Sequence, residues 1–333
     1  MNGQRMNLTM NDQMPWDSLA IPQLGKLTRR KVESDKSFEV FWVLDEAGDK
    51  GLLIQVDDTI DAEKILKSQL KLKGISFSLI DDEKRRVLVK LQKNEYTIIF
   101  YKLCLDLCEI VYACKSDKQI FPALKNRIGS WKKLLANSNG NLLSDIEKQG
   151  LFAELKFLEL CLKKQVWAES EVIDSWKGPE KAQHDFVMGE QAVEIKSITN
   201  SSRNKVSISS QDQLFTRLSR LFLRVNFLTL HKDGRTGENL NLLVGSIHKL
   251  IEDGAARERF DSKLLESKYI DITENNLPSF TVKEVTDFEV TKDFARIIPS
   301  DLMDGVFDVR YKIDLAGVER FKVEEECIWG EYE

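Results

Sequence analysis

The stretch HDFVMGEQAVEIK at residues 184–196 constrains the fold more than any other part of the chain. Apolar and polar residues alternate on both sides of Gly189-Glu190, a pair that suits a two-residue type II′ turn because that turn favours glycine first. The resulting register places Asp185 opposite Glu194. Successive side chains of a strand point to opposite faces, so these two carboxylates share one face. The sequence therefore predicts a tight β-hairpin that carries two facing acids.

Two facing acids need a compensating charge. Directly opposed side chains on neighbouring strands lie about 5 Å apart, and like charges there destabilise the pairing. A cation between Asp185 and Glu194 removes this cost, and Mg²⁺ suits a site with few protein oxygens because it keeps water and phosphate oxygens as further ligands. Lys196 shares the same face and can orient a water or stabilise charge on a phosphate. The pattern predicts metal-dependent phosphodiester hydrolysis; a salt-bridged, exposed hairpin is the alternative.

The tripeptide Glu-x-Lys carries little information by itself. The same spacing of an acid and a lysine occurs at residues 82–84, 154–156, 261–263 and 266–268. Glu194 differs from these in its context: an alternating run, a glycine turn and an acid at the matching position of the other strand. The site prediction rests on that combination.

A helix is predicted ahead of the hairpin, over residues 145–164. Ser144 is a good N-cap, and Glu147 three residues later completes a capping box. Leucines form an apolar stripe at helical spacing on this helix, at positions 151, 155, 158 and 162.

Glu154 falls beside the leucine stripe and points towards the core side of the helix. Because a buried carboxylate is costly unless it is paired or bound to a metal, we expect Glu154 to support the acid pair and to share its metal. A salt-bridged helix acid is the alternative. Glu159 lies nearer the opposite edge of the stripe and is expected at the surface.

The order of elements around the hairpin is α-β-β-β-α-β, which predicts an α/β (α+β) domain. The expected elements are a helix over 145–164, a strand over 166–173, strands near 183–188 and 191–198, a helix capped by Ser209 or Ser210 and continuing to Arg217, and a strand over 221–230.

This arrangement resembles the PD-(D/E)XK nuclease superfamily. Within it, residues 145–230 are similar to a family of restriction-type endonucleases that is found beside methyltransferases and ATPases in bacterial defence islands. The similar segments read GLFAE at 150–154, WKGP at 176–179, HDF at 184–186, EIK at 194–196 and ISSQDQL at 208–214.

The resemblance implies a restriction-endonuclease-like αβββαβ core and a 5′-phosphate product. It also implies Mg²⁺ at Asp185 and Glu194, with Mn²⁺ able to substitute, a supporting Glu154, and Lys196 at the attacking water. The proline of the superfamily's name is His184 here. Proline is not needed by the chemistry. His184 lies on the face opposite Asp185, so we expect it to be a packing residue; a general base is the alternative.

Residues that follow the hairpin are candidates for nucleic-acid contacts. Gln211 and Gln213 resemble glutamines that follow this motif in related nucleases and touch phosphate or a base edge; an ordinary polar first helical turn is the alternative. Basic side chains that bracket the site could neutralise phosphates, a solvated surface charge being the alternative for each: Arg203, Lys205, Arg217, Arg220 and Arg224.

The rest of the chain divides by pattern into a core and its flanks. We predict a flexible arm over 1–25, a β-rich N-terminal module over 26–93, a helical connector over 94–141, the nuclease core over 142–250 and a C-terminal α/β accessory module over 251–333. The strands expected in the first module are 38–44, 51–56, 74–80 and 86–91. Beyond the elements of the core, helices are expected over 240–251 and 255–265, and the strands of the C-terminal module over 280–290 and 305–315.

Bulk properties bound the function. The net charge of −5 gives no global basic signature of a nucleic-acid-binding protein, although a local basic groove is compatible with it. No run approaches the roughly 20 apolar residues of a membrane span, and the N-terminal residues lack a signal peptide's apolar region, so we expect a cytoplasmic protein without membrane contact. Five cysteines form no disulfide framework in a chain of 333 residues.

These observations predict a Mg²⁺-dependent DNA endonuclease, the nuclease of a restriction-like anti-phage defence system. A non-catalytic DNA-binding or adaptor module on a nuclease-like fold is the alternative. The expected partners are DNA, a second copy of the chain, because double-strand cutting needs two sites, and methyltransferase or ATPase proteins of the same system.

Overall fold

The computed structural model describes residues 14–34, 38–56, 74–81, 85–137, 143–199, 204–232, 234, 236–271 and 277–330. The chain divides into two compact units, one formed by residues 1–142 with 268–275 and the other by 143–267 with 276–333. Residues 1–13 and Arg203 lie outside the described part. Within the described ranges, no helix combines the length and the apolar character needed to cross a membrane.

The first unit contains a five-stranded antiparallel sheet in the order β1-β2-β3-β5-β4. Its strands are β1 Leu27–Lys31, β2 Val40–Asp45, β3 Lys50–Gln55, β4 Ile75–Asp81 and β5 Arg85–Leu91. The four strands predicted in this module are therefore confirmed. Buried Trp16, from the stretch predicted as an arm, donates its indole N–H to the Gly51 carbonyl at 2.9 Å.

The described part of the first unit also contains two long helices, α1 Thr97–Ala113 and α2 Asp117–Asn137. Asp106 of α1 joins them, because its carboxylate accepts hydrogen bonds from Arg127 at 2.6 Å and from the indole of Trp131 at 2.7 Å.

The second unit is a mixed α+β domain. Its elements are α3 Asp145–Lys164, α4 Glu169–Ser175, β6 Phe186–Met188, β7 Gln191–Thr199, β8 Lys205–Ile208, β9 Arg220–His231, β10 Glu238–Asn239, α5 Leu240–Leu250, α6 Gly254–Glu266, β11 Ser279–Glu289, β12 Tyr311–Asp314, β13 Lys322–Val323 and α7 Glu326–Trp329.

The main sheet of this unit has the order β10-β11-β9-β7-β6, with β13 added against β11. β7 and β9 are parallel, and the other pairs are antiparallel. β7 is buried on both faces over its first five residues, as expected for a strand inside a covered sheet. β8 leaves this sheet and pairs with β12 in a separate two-stranded ribbon.

The hairpin that opened the sequence argument is present with the predicted register. Phe186 pairs with Val193 and Met188 pairs with Gln191. Gly189 takes a φ of 57°, a value that glycine adopts without strain. The predicted α3 and its capping box at Ser144 are also confirmed.

Three predicted elements are wrong. The stretch 166–173 is not a strand; most of it enters α4, where the Glu171 carboxylate accepts the Ala168 N–H at 3.0 Å and so caps the first turn. Residues 209–217 form turns instead of a helix, because side chains bind the backbone locally: Gln213 accepts from Ser209 N at 2.7 Å. Of the strand expected over 305–315, the structure forms only β12.

Candidate active site

The hairpin fixes Asp185 through both its backbone and its side chain. Its carbonyl accepts hydrogen bonds from Lys177 N at 2.7 Å and Gly178 N at 3.1 Å. Its carboxylate Oδ2 accepts the Ile195 N–H at 2.8 Å, which crosses from β7. The Asp185 carboxylate therefore has little freedom, and Oδ1 is the oxygen left for another contact.

Glu194 and Lys196 lie two residues apart on β7. Glu194 is 1% exposed, and its Oε1 accepts from Lys196 Nζ at 2.6 Å. Its other oxygen, Oε2, is buried without a hydrogen-bond partner among the residues that the structure describes. Because a buried polar atom without a partner is costly, this oxygen marks a place where a ligand is expected.

Glu154 reaches the same place from α3. Its Oε2 accepts the Trp176 indole N–H at 2.8 Å. A Cβ atom added to Gly178 would lie 2.5 Å from Glu154 Oε2 and 3.3 Å from Asp185 Oδ1, so both oxygens face the small space above this glycine. The absent side chain at Gly178 thus leaves a cradle between the two acids.

The acids of this cluster are hard to ionise. Burial and the charge of Asp185 raise the pKa of Glu154 to about 8 and that of Glu194 to about 8, and burial also raises the pKa of Asp185. Burial opposes the charge on Lys196, but Glu194 and Asp185 outweigh it and raise the lysine's pKa. The site therefore holds one firmly charged cation against three acids that repel one another.

This donor set fits a hard divalent cation. A cation placed among these acids would give Glu194 Oε2 a partner, would lie beside the space at Gly178 and would offset the repulsion between the carboxylates. In the described ranges, no group of three or more acids, histidines or cysteines converges closely enough to hold a metal ion by itself. Asp185 and Glu194 would therefore hold the ion with water or substrate oxygens in the other positions, as Mg²⁺ prefers.

The residues predicted to contact nucleic acid differ in exposure and in the hydrogen bonds that they already make. Lys205 is exposed on β8, and Arg203 lies outside the described residues. Gln211 is committed to the fold, since its Oε1 accepts from Val309 N at 3.1 Å. Gln213 likewise uses its Oε1 on the backbone of its own turn.

Two arginines that were expected to bracket the site are engaged elsewhere. Buried Arg224 donates to Asp287 at 3.0 Å and to Glu325 at 2.8 Å. Arg220 donates to Glu289 at 3.0 Å and to the carbonyl of Cys327 at 3.0 Å. Both side chains thus bind β11 and the C-terminal segment, and their contact with phosphate stays a prediction.

The structure also corrects the surface position predicted for Glu159. This residue is buried, and its carboxylate accepts hydrogen bonds from Lys156 at 2.6 Å and Ser246 at 2.8 Å and pairs with Lys163 at 2.8 Å. The stripe of leucines is wider than its spacing suggests, because α5 packs on the neighbouring side of α3.

Sequence reasoning missed the contact roles of Trp176 and Gly178. The segment WKGP at 176–179 was predicted only to resemble the nuclease family. It supplies an indole donor to Glu154 and backbone donors to Asp185. A tryptophan followed by Gly-Pro shortly before the acid hairpin is the signal that could have indicated a tight strap against the site.

A comparison with known families decides the relationship. The family described as "Putative PD-(D/E)XK family member, (DUF4420)" matches residues 13–316. The chain belongs to this family. The resemblance to PD-(D/E)XK nucleases inferred from residues 145–230 is thereby confirmed, and the match extends over most of both units. No curated protein and no solved structure matches the chain.

Proposed function

We propose that this PD-(D/E)XK family member is a Mg²⁺-dependent DNA endonuclease that hydrolyses phosphodiester bonds. The observation that carries the proposal is the Asp185–Glu194–Lys196 cluster on one hairpin. Beside the lysine, a buried Glu194 oxygen has no hydrogen-bond partner in the part of the chain that the structure describes. Family membership supports a nuclease-like fold, and the cluster supports the chemistry.

Each residue has a role that follows from its contacts. Asp185 and Glu194 supply carboxylate oxygens for the cation, and Glu154 supports them from α3. Lys196 keeps its proton, so its ammonium can hold the attacking water by a hydrogen bond or stabilise charge that develops on the phosphate. A bound divalent cation would supply Lewis-acid stabilisation of the phosphate and lower the pKa of a nearby water.

The finer parts of the proposal concern the setting of this activity. We propose DNA as the substrate, Mn²⁺ as a working substitute for Mg²⁺, and a cytoplasmic role as the nuclease of a restriction-like anti-phage system. Exposed Lys205 and half-buried Gln213, with Arg203, are the proposed contacts to the DNA backbone. A second copy of the chain would supply the second site that double-strand cutting needs, and methyltransferase or ATPase proteins are the proposed partners.

The test is cleavage of plasmid DNA. Supercoiled, relaxed and methylated plasmids are incubated with the protein in Mg²⁺, Mn²⁺, Ca²⁺ or EDTA, and the products are resolved on agarose. We expect nicked or linear products in Mg²⁺ and Mn²⁺ and none in EDTA, with every product lost in Asp185→Asn. Binding of DNA without cleavage under all metals would reject the endonuclease and favour a non-catalytic DNA-binding module.

A further inference from the structure

We infer that Trp176 is a positioning residue for the metal site: its indole N–H holds the Glu154 carboxylate beside Asp185, over the space that Gly178 leaves open. The inference rests on the proposed function for its catalytic consequence, but not for its effect on metal binding. Three sets of contacts carry it.

The first is the hydrogen bond itself. Trp176 is fully buried, and its indole N–H, its only side-chain polar group, donates to Glu154 Oε2 at 2.8 Å. A buried indole N–H normally finds a partner, and most partners are neutral backbone carbonyls or waters. Here the partner is an acid of the candidate site. Since the indole carries no charge, it orients Glu154 without neutralising it, and the acid stays available to a cation.

The second is the fit at Gly178. The backbone of this residue runs so close to Glu154 that a Cβ would meet Oε2 at 2.5 Å. The same backbone donates its N–H to the Asp185 carbonyl at 3.1 Å. Residues 176–178 therefore touch both acids at once, one through a side chain and the other through the main chain. A strap with these contacts sets the spacing between Glu154 and Asp185.

The third is the anchoring of the strap. Lys263 of α6 is buried, and its ammonium donates to the Trp176 carbonyl and to Glu180 Oε1, the latter at 2.7 Å. Phe260 of the same helix packs on the Trp176 ring with centroids 6.1 Å apart. Trp176 also bridges to Phe186 as an extra antiparallel pair at the start of β6. The indole is thus held by rigid elements, which is what a positioning residue requires.

The experiment is a double-mutant cycle read by Mn²⁺ binding. Calorimetric titration of the metal-free, full-length chain compares wild type, Trp176→Phe, Glu154→Ala and the double variant. We expect Trp176→Phe to weaken Mn²⁺ binding about tenfold, the effect of losing one hydrogen bond to a charged group. In the Glu154→Ala background the same change should weaken binding less than about twofold, because the group that Trp176 positions is gone.

Trp131→Phe is the matched control. Trp131 is also buried and also donates its indole N–H to a carboxylate, that of Asp106 at 2.7 Å, in the other unit. The two substitutions remove the same volume and the same kind of bond. We expect Trp131→Phe to lower the thermal midpoint while leaving the Mn²⁺ affinity within about twofold of wild type.

A second variant keeps the shape of the ring. Replacing Trp176 with benzothienylalanine substitutes sulfur for the indole N–H, so it removes the donor and almost no volume. We expect the same loss of Mn²⁺ affinity as in Trp176→Phe, with a thermal midpoint close to wild type. This variant decides the question where Trp176→Phe does not fold.

The outcomes separate the two proposals. Wild-type Mn²⁺ affinity in the donor-free variants, or an equal loss with and without Glu154, overturns the positioning role and leaves the nuclease proposal standing. If the Mn²⁺ affinity depends on Trp176 only when Glu154 is present, and the wild type cleaves no DNA, the nuclease proposal is rejected and the positioning role stands.

Discussion

Glu154 and Glu159 lie five residues apart on the same helix, α3, and the structure puts them in opposite electrostatic settings. Burial and the charge of Asp185 raise the pKa of Glu154 to about 8. Glu159 is also buried, which by itself raises a carboxyl's pKa, but Lys156, Lys163 and Ser246 bond to it and lower its pKa to about 2.

The difference lies in the balance of charge around each acid. Glu159 and Glu238 face Lys156 and Lys163, so two acids meet two lysines. Around Glu154, the described residues provide three acids and one ammonium, that of Lys196. The first cluster satisfies its own charges, and the second is complete only with a further cation. Among the described residues, a surplus of buried carboxyl groups over cations therefore distinguishes the candidate site from the structural ion-pair cluster.

The largest expected effect is on the rate of DNA cleavage, which should depend on Lys196 of the candidate site and not on Lys163 beside Glu159. Lys196→Ala should slow single-turnover DNA cleavage by about a hundredfold or more, since a charge aimed at the transition state is worth roughly 3–4 kcal/mol. DNA affinity in mobility-shift assays should change by less than about threefold. Lys163→Ala, which removes a partner of Glu159, is the control and should cleave at the wild-type rate. Cleavage by Lys196→Ala at the wild-type rate would show that the site is assigned to the wrong residues.

Metal affinity should depend on pH because the acids of the candidate site change their protonation. Glu154 and Glu194, with pKa values of about 8, hold protons below that pH in the metal-free protein. An ion must displace these protons, so Mn²⁺ affinity should rise by about tenfold or more from pH 6 to pH 8 and level off above. Calorimetry in two buffers of different ionisation enthalpy measures the released protons. An affinity that is flat between pH 6 and pH 8 would contradict the raised pKa values.

The free energy of unfolding should depend on Glu159, the acid that is paired with lysines. The pKa of Glu159 is lowered, so its contribution is present above about pH 4.5 and is lost as the pH falls towards 2. Glu159→Gln should lower the free energy of unfolding at pH 7 by about 1–2 kcal/mol, a range reduced because Lys163 is half exposed. Urea denaturation measures it. Glu154→Gln, the matched change on the same helix, should leave the metal-free protein as stable as wild type or more stable at pH 8.

The smallest effect concerns a lysine outside both clusters. Lys205 is exposed on β8, so Lys205→Ala should weaken DNA binding by less than about threefold and reduce the slope of log K against log salt by about 0.9, the value for one phosphate contact. Single-turnover cleavage at saturating DNA should not change. A large loss of that rate would show that Lys205 acts in the cleavage step and not only in DNA binding.

The sequence predicted the hairpin and α3 because their signals are local. A two-residue turn with glycine first fixes the register of 184–196, and the capping box at Ser144 fixes where α3 begins. The closeness of Asp185 to Glu194 follows from that register alone. The same reasoning failed at 166–173 and 209–217, where short-range side-chain bonds to the backbone compete with the regular pattern.

Features that depend on residues far apart in sequence were decided by the tertiary structure. Leucine spacing could not distinguish the buried Glu159 from a surface acid, because α5, which covers this side of α3 and brings Ser246 to the Glu159 carboxylate, packs there only in the folded chain. Likewise, β11 joins β9 along most of its length across a gap of about 50 residues in sequence, a pairing that no local pattern encodes. The sequence by itself determined which acids face each other on the hairpin and which lysines lie about one helical turn from Glu159. Only the fold decided which acids are buried together, because packing brings Glu154 of α3 to the hairpin acids and Ser246 of α5 to Glu159.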